Sequence, residues 1–364
     1  MKLKKPTLLI DKEKCLHNIR KMKAKADKSG VRFRPHFKTH QSAEVGEWIR
    51  NEGISAITVS SISMALYFAQ NGWDDITVAF PVNVAEIDEI NELAMQISLN
   101  LLVENDEAVN YLASNLKSEV GIYIKIDAGY HRTGMLVSDH QGIHNLLNSI
   151  RQHELLHFKG LLVHNGHTYK AGSHKEVIAI HEQSIEALMR LKTFLIGNDI
   201  DLEISIGDTP SMSLVENFDG IDEIRPGNFV LYDFMQAALG SCKTENIAVA
   251  LACPIVAKHA QRMEIVIYGG AIHLSKDFIL DDIGKPIYGR VVQLQNNSWS
   301  KAIGGAYVKS LSQEHGVIKV NAAFFDKISV GDFIGILPIH SCLTVNLMNE
   351  YYTLDGKLVT TIGP

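Results

Sequence analysis

Cysteine is scarce in this chain, with four in 364 residues. Cys15, Cys242, Cys253 and Cys342 show no CxxC or other short paired spacing, which argues against a disulfide framework and predicts reduced thiols in a cytoplasmic protein. Long apolar runs are also missing. The N-terminal stretch MKLKKPTLLID loses its apolar character after Ile10, too soon for a signal-peptide core or a membrane span, so no membrane association is expected. Positive charge is not in excess: 35 Lys and Arg stand against 41 Asp and Glu, a net charge of −6, and no global basic field is left to gather nucleic acid or anionic lipid. Internal repeats, low-complexity tracts and Pro/Gly/Ser linkers are absent too, so domains are expected to pack together and not to swing on a tether. These absences leave a small-molecule partner as the expectation.

What is present is the balance of a globular protein, 46% hydrophobic and 21% charged, with a length that suggests two domains. Eight short β-rich runs occur at 31–34, 56–60, 76–79, 97–102, 120–126, 158–163, 202–206 and 223–225. Between them, apolar residues recur at spacings of three and four over 42–52, 63–70, 84–95, 104–114, 141–152 and 175–196, the period of amphipathic helices. A doubly wound sheet would also alternate strands and helices, but a count of eight predicts a closed (β/α)8 TIM-type barrel. Beyond about Ser241 the runs 247–257, 262–268, 288–295, 306–311, 317–320 and 332–337 follow one another without long helices, as in an antiparallel β domain. The expected division is a barrel over 11–240 and a β domain over 241–364, joined by a strand from residues 1–10.

Chemistry-bearing residues gather where barrel strands end. The segment Arg34-Pro35-His36-Phe37-Lys38-Thr39-His40 follows the first strand. Burial of Lys38 among His36, His40 and Arg34 would lower its pKa and favour the neutral amine that attacks a carbonyl; the plain alternative is a solvated basic loop. The run Pro6–Asp11 followed by RPHFKTH resembles the start of the alanine-racemase-like, fold type III enzymes, in particular the D-serine dehydratase and D-threonine aldolase branch. The resemblance extends in order across nearly the whole chain. It implies that pyridoxal 5′-phosphate (PLP) is the cofactor and that Lys38 carries it as a Schiff base.

Further motifs fall in the same order. Asp127-Ala128-Gly129-Tyr130-His131-Arg132-Thr133-Gly134 is similar to the family's D-x-G-x-x-R-x-G, which makes Arg132 a donor to the cofactor phenolate oxygen or a substrate carboxylate; an ion pair with Asp127 is the structural alternative. His164–Tyr169 is similar to the segment that brings a tyrosine to the pyridine nitrogen, which implies Tyr169 as a cofactor contact. Gly207, Asp208 and Thr209, after the seventh strand, offer backbone N–H groups and a hydroxyl to a phosphate, although such a turn is common by itself. Arg225–Asp233 resembles R-P-G-N-Y-x-x-Y-D and implies that Tyr232 lies near the phosphate.

In the C-terminal part, His315 stands in Gln313-Glu314-His315-Gly316, and His340 and Cys342 alternate about Ser341. On an extended segment both side chains would share one side, and imidazole with thiolate suits Zn²⁺. The dehydratase branch has HxC here and the aldolase branch tends to HxD. One departure is Tyr268-Gly269-Gly270 where relatives commonly read DAG. The resemblance thus implies a PLP- and Zn²⁺-dependent lyase acting on a D-β-hydroxy amino acid, with Lys38, Arg132 and His315 catalytic and a homodimer as the assembly. A dehydratase yielding keto acid and ammonia is the first expectation. D-threonine aldolase, amino-acid racemase and a PLP-binding protein without activity are the alternatives.

Overall fold

The computed structural model describes residues 3–197 and 202–363, and the chain divides into two compact units. One holds Arg20–Lys38 and Ile49–Gly227; the other holds the chain up to Ile19, Thr39–Trp48 and everything from Asn228 on. The chain opens with strand β1 (Thr7–Ile10), which belongs to the second unit.

The first unit carries eight parallel barrel strands: β2 (Arg32–Phe33), β3 (Ala56–Val59), β4 (Asp75–Pro81), β5 (Ser98–Val103), β6 (Val120–Asp127), β7 (Leu156–Val163), β8 (Glu203–Ile206) and β9 (Glu223–Ile224). Each coincides with one of the eight predicted runs. Neighbours pair in chain order from β3 to β9, and β9 pairs with β2. The ring closes through a parallel bridge between His36 and Thr58, where the Phe37 N–H donates to the Thr58 carbonyl at 2.8 Å. Side chains fill the interior, as in other barrels of this size: Leu102, Tyr123 and Leu162 form one buried cluster. A buried charge network joins Arg34 to Asp75 in bidentate fashion (2.6 and 3.0 Å) and to Glu223 (2.7 Å).

The six predicted C-terminal runs all appear: β10 (Val249–His259), β11 (Glu264–Tyr268), β12 (Gly289–Val292), β13 (Tyr307–Leu311), β14 (His315–Lys319) and β15 (Phe333–Pro338). They close into an antiparallel ring in the order β10-β11-β14-β13-β12-β15 and back to β10. The long β10 makes closure possible, because its first half pairs with β1 and its second half with β11 on the same edge. Beyond β1 the sheet continues into β16 (Glu350–Thr353) and β17 (Leu358–Thr360).

Three features depart from the sequence expectation. Lys12–Ser29 is an 18-residue helix whose buried apolar stripe is Cys15, Ile19, Met22 and Ala26, a regular 4-3-4 spacing diluted by charged neighbours. The pair β16 and β17 was not anticipated. The segment after His340 is not extended: Ser341–Met348 is a helix with His340 at its N-cap, so Cys342 sits in the first helical turn.

Candidate active site

Within the barrel unit, Lys38, Arg132, Tyr169, Gly207, Asp208 and Thr209 all stand on segments that leave the C-terminal ends of the strands. Lys38 follows the closing bridge, and its backbone N–H reaches His36 Nδ1 at 3.4 Å. Its side chain is exposed, contrary to the burial expected. Arg34 does not act on it as a free cation, because Asp75 and Glu223 neutralise that guanidinium. His40 belongs to the other unit, where burial drives its imidazole down to about 3 and keeps it neutral.

The loop after β6 is built around Asp127. Its Oδ1 accepts from the N–H groups of Gly129 (2.9 Å), Tyr130 (2.9 Å) and His131 (3.0 Å). Burial opposes ionisation of this carboxyl, yet these donors hold it below its usual range. The carboxylate serves its own loop. Arg132 is instead exposed and lies over the Tyr130 ring at 5.1 Å, which sets aside the ion-pair alternative.

The loops after β7 and β8 meet. Tyr169 Oη accepts from the Thr209 N–H at 3.2 Å, and His164 Nδ1 hydrogen-bonds the Gly207 carbonyl. Burial, then the charge of Lys38, pushes the His164 imidazolium well down, so this ring is neutral. A Cβ on Gly207 would come within 2.7 Å of the Arg225 carbonyl oxygen, so the turn requires glycine. Asp208 caps the helix Thr209–Leu214 by accepting from Ser211 N (2.7 Å) and also accepts from Thr168 Oγ1 (3.0 Å). The buried Thr209 Oγ1 has no partner, whereas the Ser211 side chain hydrogen-bonds the Asp208 carboxyl.

Two cations unforeseen from the sequence complete this unit. Buried Lys125 donates to the Ile126 carbonyl at 2.7 Å; burial, then Arg225 and Arg132, lowers its amine to about 8. Buried Arg225 bonds Ser205 Oγ and the Val163 carbonyl, each at 2.7 Å, and burial lowers it to about 10. Alternation along β6 put Lys125 on the same face as Asp127, and Arg225 heads the R-P-G-N motif; both signals were legible. An unpartnered buried hydroxyl at Thr209, in the same unit as these cations, fits an anionic group bearing a phosphate.

In the β unit, Tyr232 is buried and holds φ +49°, a left-handed conformation that a bulky residue adopts only where its surroundings enforce it. Its N–H donates to the Asn228 carbonyl at 2.6 Å. His340 and Cys342 hydrogen-bond each other, and Asp277 binds His340 Nδ1 at 2.7 Å. Burial lowers the His340 pKa, but Asp277 and Cys342 outweigh it and raise it to about 11. Around Cys342 Sγ lie Thr39 Oγ1 at 3.3 Å and Asn228 Nδ2 at 3.7 Å. Asn228 is itself tied to Asp233, whose Oδ2 accepts from the Ser341 N–H at 3.0 Å. An imidazole oriented by a carboxylate, next to a thiol, is a donor set that suits Zn²⁺. Among the described residues no cluster of three or more His, Cys, Asp or Glu side chains surrounds a common metal position. His315 is exposed on β14, separated from β15 by two intervening strands in either direction around the ring, and faces Tyr268 in register.

Two family models match this chain, "Alanine racemase, N-terminal domain" over residues 10–233 and "Putative serine dehydratase domain" over residues 248–354. D-serine dehydratase of Dictyostelium discoideum is 28% identical over 392 residues, covering 100% of this chain and 96% of that protein. Among solved structures, D-threo-3-hydroxyaspartate dehydratase from Delftia sp. HT23 matches with a TM-score of 0.90 at 25% identity, covering 100% of this chain and 98% of that one. A cysteine variant of that dehydratase in its metal-free form matches with a TM-score of 0.89, at the same identity and coverage.

Proposed function

The chain belongs to the alanine racemase N-terminal domain family, joined to a putative serine dehydratase domain, and from that premise we propose a PLP-dependent lyase of D-β-hydroxy amino acids that works as a Zn²⁺-dependent D-serine or D-threonine dehydratase. The observation that carries this reading is the barrel unit itself. It sets a lysine at the closing strand and, in the same unit, a turn whose buried Thr209 hydroxyl lacks a partner.

PLP, when bound, supplies an electron sink for the carbanion at Cα. Lys38 would hold the cofactor through its amine, and its Nζ, when free, would take the Cα proton. Arg132 would donate to the cofactor's phenolate oxygen or to the substrate carboxylate. Thr209 Oγ1 and the backbone N–H groups from Gly207 onward would receive the phosphate, with Asp208 fixing their turn and Tyr232 contributing its phenol. Tyr169, tethered to Thr209, would meet the pyridine nitrogen, where a phenol does not force full protonation of the ring. His340, its Nδ1 held by Asp277, and Cys342 would hold Zn²⁺, which supplies Lewis acidity toward the departing β-hydroxyl. Cysteine in place of a carboxylate supports zinc over a harder ion. His315 is assigned to catalysis from the partner subunit of a cytoplasmic homodimer.

D-Threonine tests this in one tube. Incubated with protein loaded with PLP and Zn²⁺, it should give 2-oxobutanoate and ammonia, and a chelator should stop the reaction. Glycine and acetaldehyde would instead make the protein an aldolase and overturn the elimination.

A further inference from the structure

Tyr130 is not accounted for by the roles above, yet two loops of the barrel unit meet at it. A Cβ added to Gly166 would fall 2.3 Å from Tyr130 Cε1 and 2.5 Å from Cζ, so the phenol ring lies directly on the glycine backbone and only glycine leaves room for it. His167 stacks on the ring with centroids 6.1 Å apart and planes at 21°. His164 meets its edge at 6.0 Å and 79°. At its N-terminal side the tyrosine is fixed by its own N–H to Asp127 Oδ1, in a turn whose next residue, His131, holds φ +57°. The Arg132 guanidinium lies over the ring at 5.1 Å.

From this we infer that Tyr130 is a positioning residue: seated on Gly166 and flanked by His164 and His167, its ring holds the Arg132 guanidinium in place for the anion that Arg132 meets. The inference rests on the proposed role of Arg132 and deepens it. An exposed arginine has many rotamers of similar energy, and ordering one of them only when the ligand arrives weakens binding. A ring face supplies an attraction that orders the cation beforehand without offering it a competing carboxylate. The same cluster reaches further, because His164 bonds the Gly207 carbonyl and its ring lies 6.2 Å from that of Tyr169, which accepts from Thr209 N–H. Arg132 and the proposed phosphate turn are thereby referred to one rigid aromatic group.

The test is a cycle on PLP affinity, read by titrating cofactor absorbance and fluorescence, in the wild-type protein and the variants Tyr130→Leu, Tyr130→Phe, Arg132→Ala and Tyr130→Leu/Arg132→Ala. Phe keeps the ring and should bind PLP within about twofold of wild type, whereas Leu should raise Kd by roughly 5- to 30-fold. In the Arg132→Ala background the Leu substitution should add less than about twofold. An undiminished effect of Leu in that background, or equal effects of Leu and Phe, would overturn the inference. Arginine-labelled protein without cofactor gives a second readout: the Arg132 Nε–H resonance should lie upfield through the ring current and move downfield in Tyr130→Leu, and an unmoved resonance also overturns it. Neither measurement requires turnover, so a failure of the lyase reading on D-threonine remains distinct from a failure of the clamp.

Discussion

The turn at 207–211 in the barrel unit and the His340–Cys342 pair in the β unit are opposite ways of preparing a binding site. In the turn, Thr209 Oγ1 is buried without a partner, at a cost that an isolated fold would avoid. In the β unit the groups of interest are already held: Asp277 binds the imidazole, and Asn228 and Thr39 lie against the sulfur. The first site is arranged for a ligand that supplies the missing hydrogen bonds. The second is arranged so that its two donors keep their orientation whatever completes the shell. The difference teaches that unsatisfied polar atoms mark where an anion is expected, and over-supported ones mark where geometry must not drift.

The largest effect should come from the barrel alone. Lys38→Ala is expected to lower turnover by about 10³-fold or more, the scale of removing a positioned acid–base group that is also the covalent anchor, and to abolish the protein-bound cofactor absorbance. Residual turnover with intact absorbance would move the base to another residue, and neutral His164 would then be examined.

Breaking the β-unit pair should separate the two sites. Cys342→Ala and His340→Ala, or a chelator on the wild type, are expected to reduce elimination by roughly 10²-fold while leaving PLP absorbance unchanged. Asp277→Asn, which removes only the carboxylate behind His340, should weaken metal retention by about tenfold. Loss of PLP along with the metal would show that the two sites are not independent.

Much of this division was legible in the sequence and some of it was not. The first six barrel strands announce themselves because each is followed by an amphipathic stretch of helical period. The helix Lys12–Ser29 hides because one apolar stripe of four residues is drowned by lysines. His340 and Cys342 were recognised by type, but their backbone was misjudged: the run after Ser341 contains β-branched Thr344 and Val345, lacks charged side chains and has no side-chain N-cap, so local propensity gives little sign of the helix that tertiary packing imposes. Tyr130 and His164 stood inside quoted motifs without attracting notice, because their significance arises only where loops 40 residues apart in sequence converge, and nothing local encodes that meeting.

The claim that the cradle is held open against the fold's own stability can be tested through pH. Burial holds buried Asp208 up to about 6 from 3.8, so the native state binds its proton more tightly than the unfolded chain does. The sign follows: this group's favourable contribution is complete below pH 4 and disappears as pH rises through about 6. Cofactor-free wild type should therefore lose about 2–3 kcal/mol between pH 4 and pH 7 relative to Asp208→Asn, measured by urea unfolding. The amide keeps an acceptor for Ser211 N and Thr168 Oγ1, so its cap survives. Parallel curves would mean that the carboxylate is comfortably paired and the contrast with the β unit is overdrawn.

The smallest and most discriminating effect belongs to Thr209. Replacing it by Val removes a buried hydroxyl that has no partner in this structure and keeps nearly the same shape. Without cofactor the variant should be as stable as wild type or up to about 1 kcal/mol more stable, since an unmade hydrogen bond is deleted. With cofactor the sign reverses, because the hydroxyl is then a donor to phosphate, and PLP affinity should fall by about five- to tenfold. Opposite signs in urea unfolding and in cofactor titration would identify Thr209 Oγ1 as a group kept unsatisfied for its ligand. A loss of stability without cofactor would instead assign the hydroxyl to the fold, and the turn would stand alongside the His340–Cys342 pair as a site already complete in its own contacts.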